Sequence, residues 1–204
     1  AYCLICMDID QGDILWSKAV KRQHPESRRH MKNTYASETP VTDGTYVFAS
    51  FGSAGLHCVN FEGNVIWQKD LMLKRDKRGW GTGSSPILFQ DTIIVNCDSD
   101  DNSYIAAFEK NTGTLVWRTD RDEVASWGTS FLFEAGKRMT VVANARRMRG
   151  YDAGTGTLLW ECAGGSAVSV PSPVSSQTLV FLTSGHNILA RQPVIAVRSY
   201  ASGD

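Results

Sequence analysis

Apolar and polar positions alternate along most of the chain in short runs, broken by Gly, Asn, Asp, Ser and Thr. A period of two places apolar side chains on one face of an extended strand. Nowhere do apolar residues persist at i, i+3, i+4 and i+7, so the pattern predicts almost no helix and excludes an α/β architecture.

The strands recur in phase. Four segments end on a tryptophan: CMDIDQGDILW at Trp16, CVNFEGNVIW at Trp67, AFEKNTGTLVW at Trp117 and GYDAGTGTLLW at Trp160, at intervals of 51, 50 and 43 residues. Four residues before each stands a glycine (Gly12, Gly63, Gly113, Gly156), the residue that suits a tight turn requiring positive φ. Each unit reads as strand, turn, strand. Upstream lie PVTDGTYVFASFG (40–52), PILFQDTIIVNCD (86–98), FLFEAGKRMTVVANA (131–145) and PVSSQTLVFLTSG (173–185), each an apolar strand, a polar turn and a β-branched strand.

Four strands recurring every 40 to 50 residues predict an all-β β-propeller of four-stranded antiparallel blades. The expected division is the outer strands of a first blade at 1–20, blades at 38–70, 84–120 and 129–163, and an incomplete last blade at 171–204, with Gly203 in its turn. Two readings follow. The chain is an arc of about four blades from a larger, seven- or eight-bladed propeller, its true N-terminus upstream, or the first two strands complete the last blade of a four-bladed ring.

Composition narrows the function classes. The 204 residues, 42% hydrophobic and 21% charged, are enough for a packed core. Lys plus Arg equals Asp plus Glu at 21 each, so no global field draws in nucleic acid or an anionic membrane. No run approaches the ~20 apolar residues of a membrane helix, so any membrane association is expected only through regions outside this sequence. Cys3, Cys6, Cys58, Cys97 and Cys162 lack the paired spacing of a zinc site and read as small buried strand residues. No metal site is expected.

The repeat carrying Ala107, Glu109, Thr112, Gly113 and Trp117, and the next carrying Gly150, Asp152, Thr155, Gly156 and Trp160, resemble the pyrroloquinoline-quinone-like (PQQ-like) propeller repeats with their tryptophan-docking pattern Ala-x-Asp-x-x-Thr-Gly-x-x-x-Trp. The first repeat keeps Asp8, Gly12 and Trp16, with Gln11 for the threonine; the second has Asn60 and Glu62. The resemblance implies that Trp16, Trp67, Trp117 and Trp160 pack between blades as structural residues. It brings two functions: partner binding, as in the bacterial outer-membrane assembly lipoprotein, or PQQ- and calcium-dependent dehydrogenation. Quinoprotein alcohol dehydrogenases of this fold use adjacent cysteines beside the quinone and a carboxylate and amide set around calcium. No Cys-Cys pair occurs here, so no cofactor is expected, PQQ with calcium being the alternative. Both functions imply the periplasm, cell surface or cell envelope.

Propellers bind ligands where the loops feeding the innermost strands converge. Those loops are 33–39, 80–85, 126–130 and 166–172, rich in Gly, Ser and Thr, and they nominate Tyr35, Glu38, Trp80, Ser84, Trp127 and Thr129. Trp80 and Trp127 fall outside the docking pattern: their commoner role is a hydrophobic plug, their sharper one an aromatic platform for a protein or glycan partner. The basic stretch 18–35 reads as a solvated inter-blade loop, and Arg146, with Arg147 and Arg149 between two later strands, as an extension of such a patch. Asp98, Asp100 and Asp101 resemble half a calcium loop but read better as a polar turn. No Gly-x-Ser-x-Gly elbow, His-Glu-x-x-His or phosphate loop appears, and His57 reads as a packed or edge residue of its strand. A binding scaffold is the expected function.

Overall fold

A computed structural model of the chain describes residues 1–25, 28–73, 76–135, 138–184 and 194–198. Strands β1 (Tyr2–Met7) and β2 (Ile14–Lys21) pair as a two-stranded sheet. Three complete four-stranded antiparallel blades follow: β3 (Val41–Thr42), β4 (Tyr46–Ser50), β5 (Leu56–Asn60) and β6 (Val65–Lys69); β7 (Ile87–Phe89), β8 (Thr92–Cys97), β9 (Ser103–Glu109) and β10 (Leu115–Arg121); and β11 (Phe131–Ala135), β12 (Arg138–Ala143), β13 (Arg147–Asp152) and β14 (Leu158–Ala163). The last sheet contains β15 (Val174–Ser175), β16 (Leu179–Thr183) and β17 (Val194–Arg198). Among the described residues the only helical element is a 3-10 turn at Gly52–Ala54, and no helix is long and apolar enough to cross a membrane.

The pairing separates the two architectural readings. A ring closed by the first two strands needs β1 beside β16, yet β17 occupies that place, with Val180 opposite Val197 and Leu182 opposite Ile195. The described residues therefore form an arc. The turn expected at Gly203, His186 and the end of the last blade lie outside the described residues.

Burial follows the position of each strand in its blade. Middle strands are covered on both faces: along β8, Ile93 and Val95 join Phe48, Leu56 and Cys58 of the preceding blade, while Ile94 joins Val141, Ala143 and Tyr151 of the next. This explains the unbroken apolar runs of β4, β8 and β12. Outer strands are covered less, and Val65, Ile66, Leu115 and Val116 at their starts are exposed on both faces. Cys58 and Cys97 are buried as expected, but Cys3 is exposed and Cys6 and Cys162 are half-buried, because β1 and β14 are less covered.

Turn chemistry explains the acid that opens the first, third and fourth repeats. Asp8 Oδ1 accepts the N–H groups of Asp10 and Gln11, Glu109 those of Asn111 and Thr112, and Asp152 those of Gly154 and Thr155. These side-chain bonds stabilise the bend and bring in a glycine with positive φ, +68° at Gly113 and +72° at Gly156. The following tryptophan then reaches across the gap. Trp16 donates its indole N–H to Phe61 O at 2.8 Å, Trp67 to Lys110 O at 2.8 Å and Trp117 to Ala153 O at 3.1 Å, each in the next blade.

Candidate ligand cavity

The four inner loops meet around one cavity of about 540 Å³. Asn33, Ser37 and Thr39 come from the first, Trp80, Gly83 and Ser85 from the second, Trp127 and Thr129 from the third, and Val170 and Ser172 from the fourth. Glycine appears where backbones crowd: a β-carbon on Gly128 would lie 2.8 Å from Pro171 O.

Trp80 and Trp127 form one aromatic wall, their ring centroids 5.4 Å apart and inclined by 44°. Trp127 is 9% exposed, packs with Ala125 and Val168, and donates its indole N–H to Gly81 O at 2.7 Å. Trp80 is half-buried. The Asp76 carboxylate positions its loop by accepting the N–H groups of Trp80 at 2.7 Å and Gly81 at 2.9 Å. The pair therefore combines both roles considered for it, plugging the space between loops and facing the cavity.

Of the seven residues nominated for binding, Trp80, Trp127 and Thr129 line this cavity. Glu38 and Ser84 line a narrower polar chamber that shares Gly83 with it. There Glu38 accepts the Thr82 hydroxyl proton, and burial pushes its carboxyl pKa up. Tyr35 lies outside both linings, with the Arg29 guanidinium 5.6 Å from its ring centroid.

Arg146 is also outside both, and the structure corrects the basic patch built on it. Arg147 and Arg149 belong to β13 rather than to a connection. Arg146 pairs with Glu123 at 3.1 Å, while Arg149 is buried and bonds Glu123 and Glu161, each at 3.0 Å, and also Asp122. Positive charge is neutralised there.

Two further sequence readings change. Asp98 is no surface turn: its side chain is fully buried, with Arg121 at 2.8 Å and the Ser126 hydroxyl at 2.6 Å. The stretch 18–35 is not wholly a solvated loop, since Lys18 and Lys21 lie in β2 and His30 and Lys32 line the cavity. His30 sits edge-on to Trp80 at 5.4 Å and donates its backbone N–H to Trp80 O at 3.1 Å. Sequence reasoning missed this pair, and the only available signal was their proximity to the 33–39 loop. His57 is fully buried, with Nε2 3.1 Å from Ala54 O.

Residues 57–197, more than half of the chain, match the family described as outer membrane protein assembly factor BamB. The chain belongs to this family. Among solved structures it is similar to BamB from Moraxella catarrhalis, at 15% identity and a TM-score of 0.55 over 83% of this chain and 50% of that one. Quinohemoprotein alcohol dehydrogenase from Comamonas testosteroni gives 19% identity and 0.51, over 67% and 21%. The quinohemoprotein alcohol dehydrogenase ADHIIG from Pseudomonas putida HK5 gives 12% and 0.58, over 96% and 36%. The chain thus spans half or less of these structures, and at such identities the likeness establishes the PQQ-like propeller fold alone. No curated protein sequence matches the chain.

Proposed function

We propose that the chain is a non-catalytic propeller scaffold that holds a protein or glycan partner through the loops around its cavity. The observation that carries this reading is the convergence of all four inner loops, including Trp80, Trp127 and Thr129, on one concave site. A volume of about 540 Å³ with an aromatic wall and several polar groups has the character of a binding pocket. The description of the family, an outer membrane protein assembly factor, extends the proposal to the periplasm or cell envelope and to a protein partner.

The lining supports binding over turnover. It contains no carboxylate or thiol, and His30 Nδ1 already accepts the Lys32 backbone N–H at 3.2 Å, which occupies that nitrogen as a base. PQQ and calcium are left out for the same chemical reason. Cys58 and Cys97 sit in the core between blades, their thiols pushed up to about 12 by burial. Glu38 is engaged by Thr82 and Asp98 by Arg121, and among the described residues no three His, Cys, Asp or Glu side chains are grouped to hold a metal ion. These residues do not fit a calcium–quinone centre.

The test is partner retention by the immobilised protein and by its Trp80→Ala and Trp127→Ala variants. Both substitutions are expected to weaken retention while the far-ultraviolet circular dichroism stays unchanged. Retention intact in both variants removes the cavity from the partner site. Saturable PQQ binding with calcium-dependent dye reduction replaces the scaffold reading with the dehydrogenase one.

A further inference from the structure

The cavity wall contains a ladder of hydroxyl groups that runs from blade to blade. Thr39, Ser85, Thr129 and Ser172 occupy equivalent places in successive inner loops, 46, 44 and 43 residues apart, and all four line the cavity. Each rung feeds the next: Thr39 N–H donates to Ser85 Oγ at 2.9 Å, Ser85 N–H to Thr129 Oγ1 at 3.0 Å, and Thr129 N–H to Ser172 Oγ at 3.2 Å. An oxygen that accepts an N–H becomes a stronger O–H donor, because successive hydrogen bonds polarise one another. Among the described residues, none of the hydroxyls of Ser85, Thr129 and Ser172 donates to a protein acceptor. The ladder offers donors to whatever fills the cavity.

Lys32 is the charged side chain in the lining, which contains no Asp or Glu, and the imidazole of His30 accepts the Lys32 backbone N–H at Nδ1. The nearby Asp76 carboxylate is committed to the Trp80 and Gly81 N–H groups. The amide oxygen in the wall is also committed, since Asn33 Oδ1 takes both the Thr34 N–H and the Ser37 hydroxyl. A donor-rich, positively charged pocket with an indole wall calls for a ligand with many acceptor oxygens, a negative charge and one apolar face.

Resting on the partner-binding reading, we infer that the cavity takes an acidic sugar, a short uronic-acid oligosaccharide. Its carboxylate lies toward Lys32, its ring oxygens and hydroxyls along the Ser85–Thr129–Ser172 ladder, and a C–H face against the Trp80–Trp127 wall. A peptide fits less well because every residue brings an N–H that needs an acceptor, whereas a sugar hydroxyl accepts as readily as it donates.

Calorimetric titration of the protein with trigalacturonate tests this, with neutral cellotriose and an Asp/Glu-rich hexapeptide as comparators. Trigalacturonate is expected to bind saturably, more weakly as salt is raised, and cellotriose about tenfold more weakly or worse. Lys32→Gln and Thr129→Val should each reduce trigalacturonate affinity roughly tenfold. Lys32 is exposed, so its variant tests the charge without risk to the fold. Equal affinity for cellotriose, preference for the hexapeptide, an unaffected Lys32→Gln, or no trigalacturonate binding each overturns the inference. If trigalacturonate fails while partner retention still depends on Trp80, the scaffold reading survives alone. If both fail, both fall.

Discussion

The indole of Trp117 lies directly against Gly156 in the next blade, where a β-carbon would stand 2.7 Å from Trp117 Cδ2. Gly156 also has a φ of +72°, so the position requires glycine twice, once for its backbone and once for the ring above it. Gly12 isolates the first effect: its φ is +75°, yet nothing lies within 4 Å of its missing β-carbon. Gly12→Ala is therefore expected to cost about 1–2 kcal/mol from the left-handed backbone. Gly156→Ala should cost about 1–3 kcal/mol more from overpacking. Trp117→Ala, which empties the same contact, should cost about 3–5 kcal/mol. Urea denaturation of the three variants measures the differences. Equal losses for the two glycine variants would remove the inter-blade contact as a source of stability.

The same contact shows why the fold is legible in the sequence. Turn acid, glycine and tryptophan lie within one hairpin, so local spacing reveals them, and their recurrence reveals the blades. The cavity loops are legible for a related reason: a repeat puts equivalent loops at equivalent places, which brings Trp80, Trp127 and Thr129 together. Partners that are distant in sequence leave no local trace. CDSDDNS looks like a polar turn because Arg121, which neutralises Asp98, is 23 residues away on another strand. Arg146, Arg147 and Arg149 look like a basic patch because Asp122, Glu123 and Glu161 reach them only once the blade has folded. His30 and Lys32 reach the cavity through backbone contacts of a long connection, which no periodic pattern encodes.

The Asp98–Arg121 pair is fully buried on both sides, with Ser126 and the Tyr151 hydroxyl satisfying further polar atoms. Removing one partner strands the other charge in the core, which typically costs 3–5 kcal/mol. Asp98→Ala is expected to destabilise by about that amount. Asp120→Ala, which breaks the solvent-exposed pair with Arg118, should cost only about 0–1 kcal/mol. Thermal and urea unfolding distinguish them. A mild Asp98→Ala, comparable with Asp120→Ala, would show that Arg121 finds another partner or reaches water.

Glu38 is 8% exposed, and burial holds its carboxyl pKa above the ordinary 4.5, while the Thr82 hydrogen bond pulls it down without cancelling the effect. The folded chain therefore retains this proton to higher pH than the unfolded chain. Its stabilising contribution is complete below the unfolded pKa and is lost as pH rises through the folded one. Glu38→Gln keeps an oxygen for the Thr82 hydroxyl and cannot ionise. Urea denaturation across a pH series should show the two proteins converging below about pH 4, near the ordinary carboxylate pKa. The variant should gain on the parent as pH rises toward neutrality. Parallel curves would mean that Glu38 ionises as easily in the chamber as in water, through hydration or movement of Thr82. A variant that loses ground with rising pH would mean that the ionised carboxylate is stabilised there.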